Sequence, residues 1–140
     1  MRSDVKAFLD TNILVYSVDR TDAKKNAKAV SIVQTALRQR TSYAISVQCL
    51  SEFANVALRK IELPPDAVLD FVRMFKNINT IIPDCDLVSR GVEIKALYGI
   101  QYYDAMMVAA AERAKAREIW SEDLNPGQRY CGILAVDPFL

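Results

Sequence analysis

From end to end, the chain alternates short runs of strand character with stretches of helical periodicity, and this alternation constrains the fold more than any other feature. Val5 to Leu9 reads as a strand, and Thr11 or Asn12 caps a helix through Ile13, Leu14 and Tyr16. From Asp22 to Arg40, residues Ala23, Ala27, Val30, Val33 and Leu37 recur at helical spacing, with Lys24, Lys25, Lys28 and Arg38 opposite. This predicts an exposed amphipathic helix. Tyr43 to Ile45 is a second strand, Ser46 an N-cap, and Val47 to Ile61 a helix that ends before Pro64 and Pro65. Asp66 to Lys76 is helical, Thr80 to Ile82 is a strand stopped by Pro83, and Asp86 to Leu97 is a helix closed by Gly99. Tyr102 to Arg117 is the last helix; strand Glu118 to Trp120, an Asn125-Pro126-Gly127 turn and strand Ile133 to Val136 follow. Such an order implies right-handed crossovers, a parallel sheet covered on both faces, and a ligand site at the carboxyl ends of the strands. The expected fold class is α/β, three layers around a central parallel sheet. Its 140 residues, 51% of them apolar, suit a single domain over residues 1–140.

Four carboxylates, Asp10, Glu52, Asp104 and Asp123, interrupt or end apolar segments, and no basic residue is next in sequence to any of them. A charge in apolar surroundings is costly unless it is paired or binds a metal, so one shared cation site is expected. Each acid also has a bland reading. Asp10 could be a strand-end turn residue, Glu52 could pair with Arg59 or Lys60, Asp104 could be an N-cap, and an acid of Ser121-Glu122-Asp123 could be a solvated loop charge, a role that suits Glu122. What favours a site at Asp10 is its company. Thr11 and Asn12 set a hydroxyl and an amide beside helix-opening N–H groups, a corner able to hold a metal and a phosphate.

The chain has no histidine, and Cys49, Cys85 and Cys131 are scattered without CxxC spacing. Reduced, buried thiols are expected, zinc is disfavoured, and oxygen ligands point to Mg²⁺ or Mn²⁺. Imidazole-based acid–base catalysis is excluded, so water activated by a divalent ion must be the nucleophile in any hydrolysis. A net charge of +1 gives no global field for holding a polyanion. Neither a membrane span nor an apolar N-terminal run of signal type is present in the sequence, so a cytoplasmic location with no membrane partner is expected.

With these residues in place, the chain resembles the PIN-domain nucleases, and within them the VapC-type toxins of toxin–antitoxin pairs. Phe8-Leu9-Asp10-Thr11-Asn12-Ile13-Leu14 is similar to the first acidic motif, Leu50-Ser51-Glu52-Phe53 to the second, and Tyr103-Asp104-Ala105 with the alanines to Ala111 to the third. Ser121-Glu122-Asp123-Leu124-Asn125-Pro126-Gly127-Gln128 is similar to the fourth, and Val136-Asp137-Pro138-Phe139 also fits. The resemblance implies a PIN-like fold, metal-binding and catalytic roles for Asp10, Glu52, Asp104 and Asp123, and supporting polar roles for Thr11, Asn12 and Ser121. It further implies an RNA substrate, homodimerisation, and inhibition by a cognate antitoxin. Such a partner is expected to insert a basic residue into the acidic cleft and to lie in a groove between the helices Asp22 to Arg40 and Val47 to Ile61. Tyr16, Arg20, Arg59, Lys60 and Arg129 are candidates for contact with unpaired RNA. Competing readings are a housekeeping RNA-processing nuclease and a metal-free PIN-like interaction module. A haloacid-type phosphatase would want an acid where Asn12 stands, and a receiver domain would want paired acids after the first strand and a late lysine.

Overall fold

A computed structural model describes residues 5–140; the polar start at residues 1–4, part of the expectation of no signal segment, lies outside the described residues. Among these residues six strands form one sheet: β1 (Ala7–Leu9), β2 (Tyr43–Ser46), β3 (Asn79–Ile81), β4 (Glu118–Trp120), β5 (Arg129–Tyr130) and β6 (Ile133–Val136). Their spatial order is β3-β2-β1-β4-β6-β5. All neighbouring pairs are parallel except β5 with β6. The sequence does not announce β5. It is two residues long, and it turns back through Cys131 and Gly132, both at positive φ, to form an antiparallel edge.

Among the described residues six helices flank the sheet: α1 (Thr11–Tyr16), α2 (Ala23–Arg38), α3 (Val47–Arg59), α4 (Pro65–Phe75), α5 (Cys85–Tyr98) and α6 (Tyr102–Arg113). The three-layer expectation holds, with several local corrections. Asp10, not Thr11 or Asn12, caps α1. α2 buries Ala29, Ile32, Val33 and Ala36, so its inner stripe is rotated from the one the apolar spacing suggested, and Ala23 and Ala27 are exposed. α6 stops at Arg113 rather than Arg117, because Lys115 takes the left-handed conformation at φ 58° and Ala116 N–H closes on Ala111 O at 3.0 Å.

Packing explains why α6 reads as a run of small residues. Ala105 to Ala111 are all buried, and α5 lies against α6 at Gly91, where an added Cβ would stand 2.6 Å from Met106 Sδ. Phe8, Leu9, Ile45 and Ile119 fill the sheet side of the same core. The cysteines are free, but only Cys49 is buried; Cys85 is exposed and Cys131 partly so, contrary to the expectation of buried thiols. Among the described residues no helix is long and apolar enough to cross a membrane. α1 packs against both α2 and α3, the two helices expected to wall a groove. A groove lies instead beside the end of α3 and α4, with Val18, Ile61, Leu63 and Phe71 as its apolar lining and Asp19, Arg20 and Thr21 as its polar side.

Candidate active site

β1 ends in the core, and the next residue, Asp10, is only 2% exposed. Its position is fixed from several sides. Its backbone N–H donates to Trp120 O at 3.0 Å, its Oδ1 accepts from Thr11 N at 2.6 Å, and its Oδ2 accepts from Ser121 Oγ at 2.5 Å. Burial is the largest influence on this carboxyl and pushes its pKa up to about 7; the negative charges of Asp123 and Asp104 push the same way, against the Ser121 and Thr11 hydrogen bonds.

Asp10 thus stands at the floor of a cleft of about 480 Å³ whose walls include Thr11, Asn12, Glu52, Asp104 and Asp123. The four acids named from the sequence therefore meet in one place, brought there by the end of β1, by α3, by α6 and by the loop after β4. Glu52 is half-buried and accepts from Thr11 Oγ1 at 2.7 Å. No ion pair to Arg59 or Lys60 forms, and among the described residues no Lys or Arg bridges any of the four. Asp104 is the third residue of α6, whose N-cap is Gln101, so it does not cap the helix. Burial, then the charges of Asp123 and Glu52, raise its pKa. Asp123 is raised by burial and by Glu122, and the Asn12 amide opposes this. Asn12 Nδ2 reaches Asp10 Oδ2 and Asp123 Oδ2, each at 3.4 Å, while its buried Oδ1 has no hydrogen-bond partner.

In kind, this donor set fits a hard cation. All donors are oxygens, and burial together with the charge of Asp10 pushes the nearby Cys49 thiol up to about 12, so no thiolate competes. In arrangement the fit is incomplete. Among the described residues no three acid or thiol side chains are gathered closely enough to hold an ion. Charges that repel one another while Thr11 and Ser121 hold two of them would spread around the cleft in this way.

The loop after β4 also departs from expectation at Glu122, which is not a solvated charge. Its Oε1 accepts from the Tyr16 hydroxyl and its Oε2 pairs with Lys25 at 2.9 Å. Nothing in the local spacing linked these three residues, since Lys25 and Glu122 are 97 positions apart.

Fold and cleft define the class: an α/β/α domain with carboxylates from four segments facing one opening. The PIN domain family model matches residues 7–129, and the chain belongs to that family. Comparison with curated proteins gives no match. Solved structures of similar fold include a toxin–antitoxin complex from Klebsiella pneumoniae, at 20% identity and TM-score 0.67, with 95% of this chain and 98% of that chain covered. DNA-bound VapBC from Salmonella typhimurium aligns at 18% identity and TM-score 0.68, over 96% of this chain and 98% of that one. VapC20 from Mycobacterium tuberculosis, a sarcin-ricin loop cleaving toxin, aligns at 15% identity and TM-score 0.65, over 84% and 90%.

Proposed function

We propose that the protein is a single-domain endoribonuclease that hydrolyses phosphodiester bonds in RNA with Mg²⁺ or Mn²⁺, and that it is the cytoplasmic toxin of a toxin–antitoxin pair, working as a homodimer. The observation that carries the reading is the convergence of Asp10, Glu52, Asp104 and Asp123 on one cleft, with no ion pair to any of them among the described residues. Family membership supports the nuclease reading, and the toxin–antitoxin and VapC neighbours support the toxin role.

In this reading the four carboxylates hold the cation, and Thr11, Ser121 and Asn12 orient them. The ion, when bound, supplies Lewis-acid stabilisation of charge on the phosphodiester and activation of water. Ser121 and the Thr11 N–H fix both oxygens of Asp10, so that its position costs no reorganisation when substrate enters. Asp10 would have to be ionised for this role, against the burial and the neighbouring charges that raise its pKa to about 7. The test is incubation with total cellular RNA, with and without EDTA, followed by sequencing of cleaved ends. Discrete cleavage is expected, abolished by EDTA and restored by Mg²⁺ or Mn²⁺. Full activity in EDTA would remove the metal from the mechanism.

A further inference from the structure

Ser121-Glu122-Asp123 is gripped from opposite sides. Toward the cleft, Ser121 Oγ donates to Asp10 and accepts from the backbone N–H of Asp123 at 3.0 Å. Glu122 faces away, into a cluster formed by α1, α2 and the C-terminal segment. There the Tyr16 hydroxyl and Lys25 occupy its two oxygens, and Lys25 also donates to the Tyr16 hydroxyl at 3.3 Å. The Lys25 ammonium lies 4.9 Å from the Tyr16 ring centroid and 5.9 Å from that of Phe139, and the two rings meet edge-on at 5.1 Å. With side-chain exposures of 34% and 23%, Lys25 and Glu122 are not a freely solvated surface pair, and three partners restrict the ammonium to one place.

We infer that Lys25 and Tyr16 are positioning residues that act through Glu122 to hold Asp123 at the cleft, an assignment that relies on the proposed metal site only for its effect on ion binding. The geometry argues for a pin rather than an accidental bridge. Asp123 itself has no firm side-chain tether, since its contact to Asn12 is 3.4 Å long, so its placement depends on the backbone on either side. Leu124, 5% exposed, anchors that backbone on the far side; on the near side Ser121 Oγ holds the Asp123 N–H, and the grip on the Glu122 side chain fixes the residue between them.

A purely electrostatic role makes the opposite prediction. If Glu122 mattered only as a negative charge, Lys25→Met would leave it uncompensated and tighten cation binding. For a pin, Lys25→Met must loosen Asp123 and weaken binding in spite of the added negative field. Two measurements decide. Amide hydrogen exchange at Asp123 is expected to speed up several-fold in Lys25→Met and Glu122→Gln, with exchange in the core strands unchanged. Calorimetric titration with Mn²⁺ alone is expected to show affinity about tenfold weaker or worse in both variants, and restored by Lys25→Arg. Exchange at Asp123 that stays at the wild-type rate, or tighter Mn²⁺ binding by Lys25→Met, overturns the assignment. Should Lys25→Met not fold, Tyr16→Phe, which removes one hydroxyl, carries the same two readouts. Absence of Mn²⁺ binding by the wild type would defeat the metal reading, and the exchange rates would still decide the pin.

Discussion

Asp10 carries the sharpest consequence of the cleft at the level of single residues. Its carboxyl is raised from 3.8 to about 7, so between these values the folded protein keeps a proton that the unfolded chain has lost. Stability of the metal-free protein should therefore be greatest, as far as this group is concerned, below the lower value and decline as pH rises through the window, by at most about 1.4 kcal/mol per pH unit. Thermal melts in EDTA across that range check the sign, and Asp10→Asn should flatten the decline. The same substitution, with Glu52→Gln, Asp104→Asn and Asp123→Asn, should cut RNA cleavage roughly 100-fold or more. Removing one member of a repelling cluster should leave the apo melting temperature equal or higher. A marked drop in that temperature would make these acids structural. The four were legible in the sequence because an unpaired acid amid apolar neighbours is itself the anomaly. Glu122 was not, because its partners come from α1 and α2 and only the fold unites them.

At the level of elements, hydrophobic period and end signals placed most helices and strands, and they failed where tertiary contacts override local pattern. α2 shows the first kind of failure: alanines and valines lie on more than one of its faces, and tertiary packing decides that Ala29, Ile32, Val33 and Ala36 are the buried ones. β5 shows the second, since two residues hold no period and the strand exists only because β6 pairs with it. The start of α3, by contrast, was plain, although the helix ends at Arg59 and not at Ile61. Ser46 is 1% exposed and accepts from Cys49 N–H at 3.2 Å, so Ser46→Ala removes a cap and strands a buried donor. Chemical denaturation should show a loss of about 1–2 kcal/mol. Because α3 carries Glu52, a weakening of Mn²⁺ affinity is expected with it; a cap loss that left stability unchanged would mean that the first turn of α3 contributes nothing to the fold.

For the whole molecule, the cleft gathers Asp10, Glu52, Asp104 and Asp123 with Lys60 also in its wall, and none of the four is ion-paired among the described residues; the net charge of the chain is only +1, so complementarity to a partner must be local. An arginine suits it, because the planar guanidinium engages two carboxylates at once and stays charged when desolvated. The antitoxin we propose would place such a residue among Asp10, Glu52, Asp104 and Asp123. Its apolar residues would lie in the neighbouring groove of Val18, Ile61, Leu63 and Phe71, which shares Asp19 with the cleft. Binding there would exclude both the proposed cation and RNA. Co-purification with the product of the neighbouring gene should give a tight complex that leaves RNA intact and regains cleavage when the partner's arginine is replaced by alanine. Leu63→Asp should weaken that complex without changing cleavage by the free protein, since Leu63 lines the groove and not the cleft. A tight complex that cleaved RNA as fast as the free protein would remove the inhibitory partner and leave a housekeeping nuclease as the better account of the same acidic cleft.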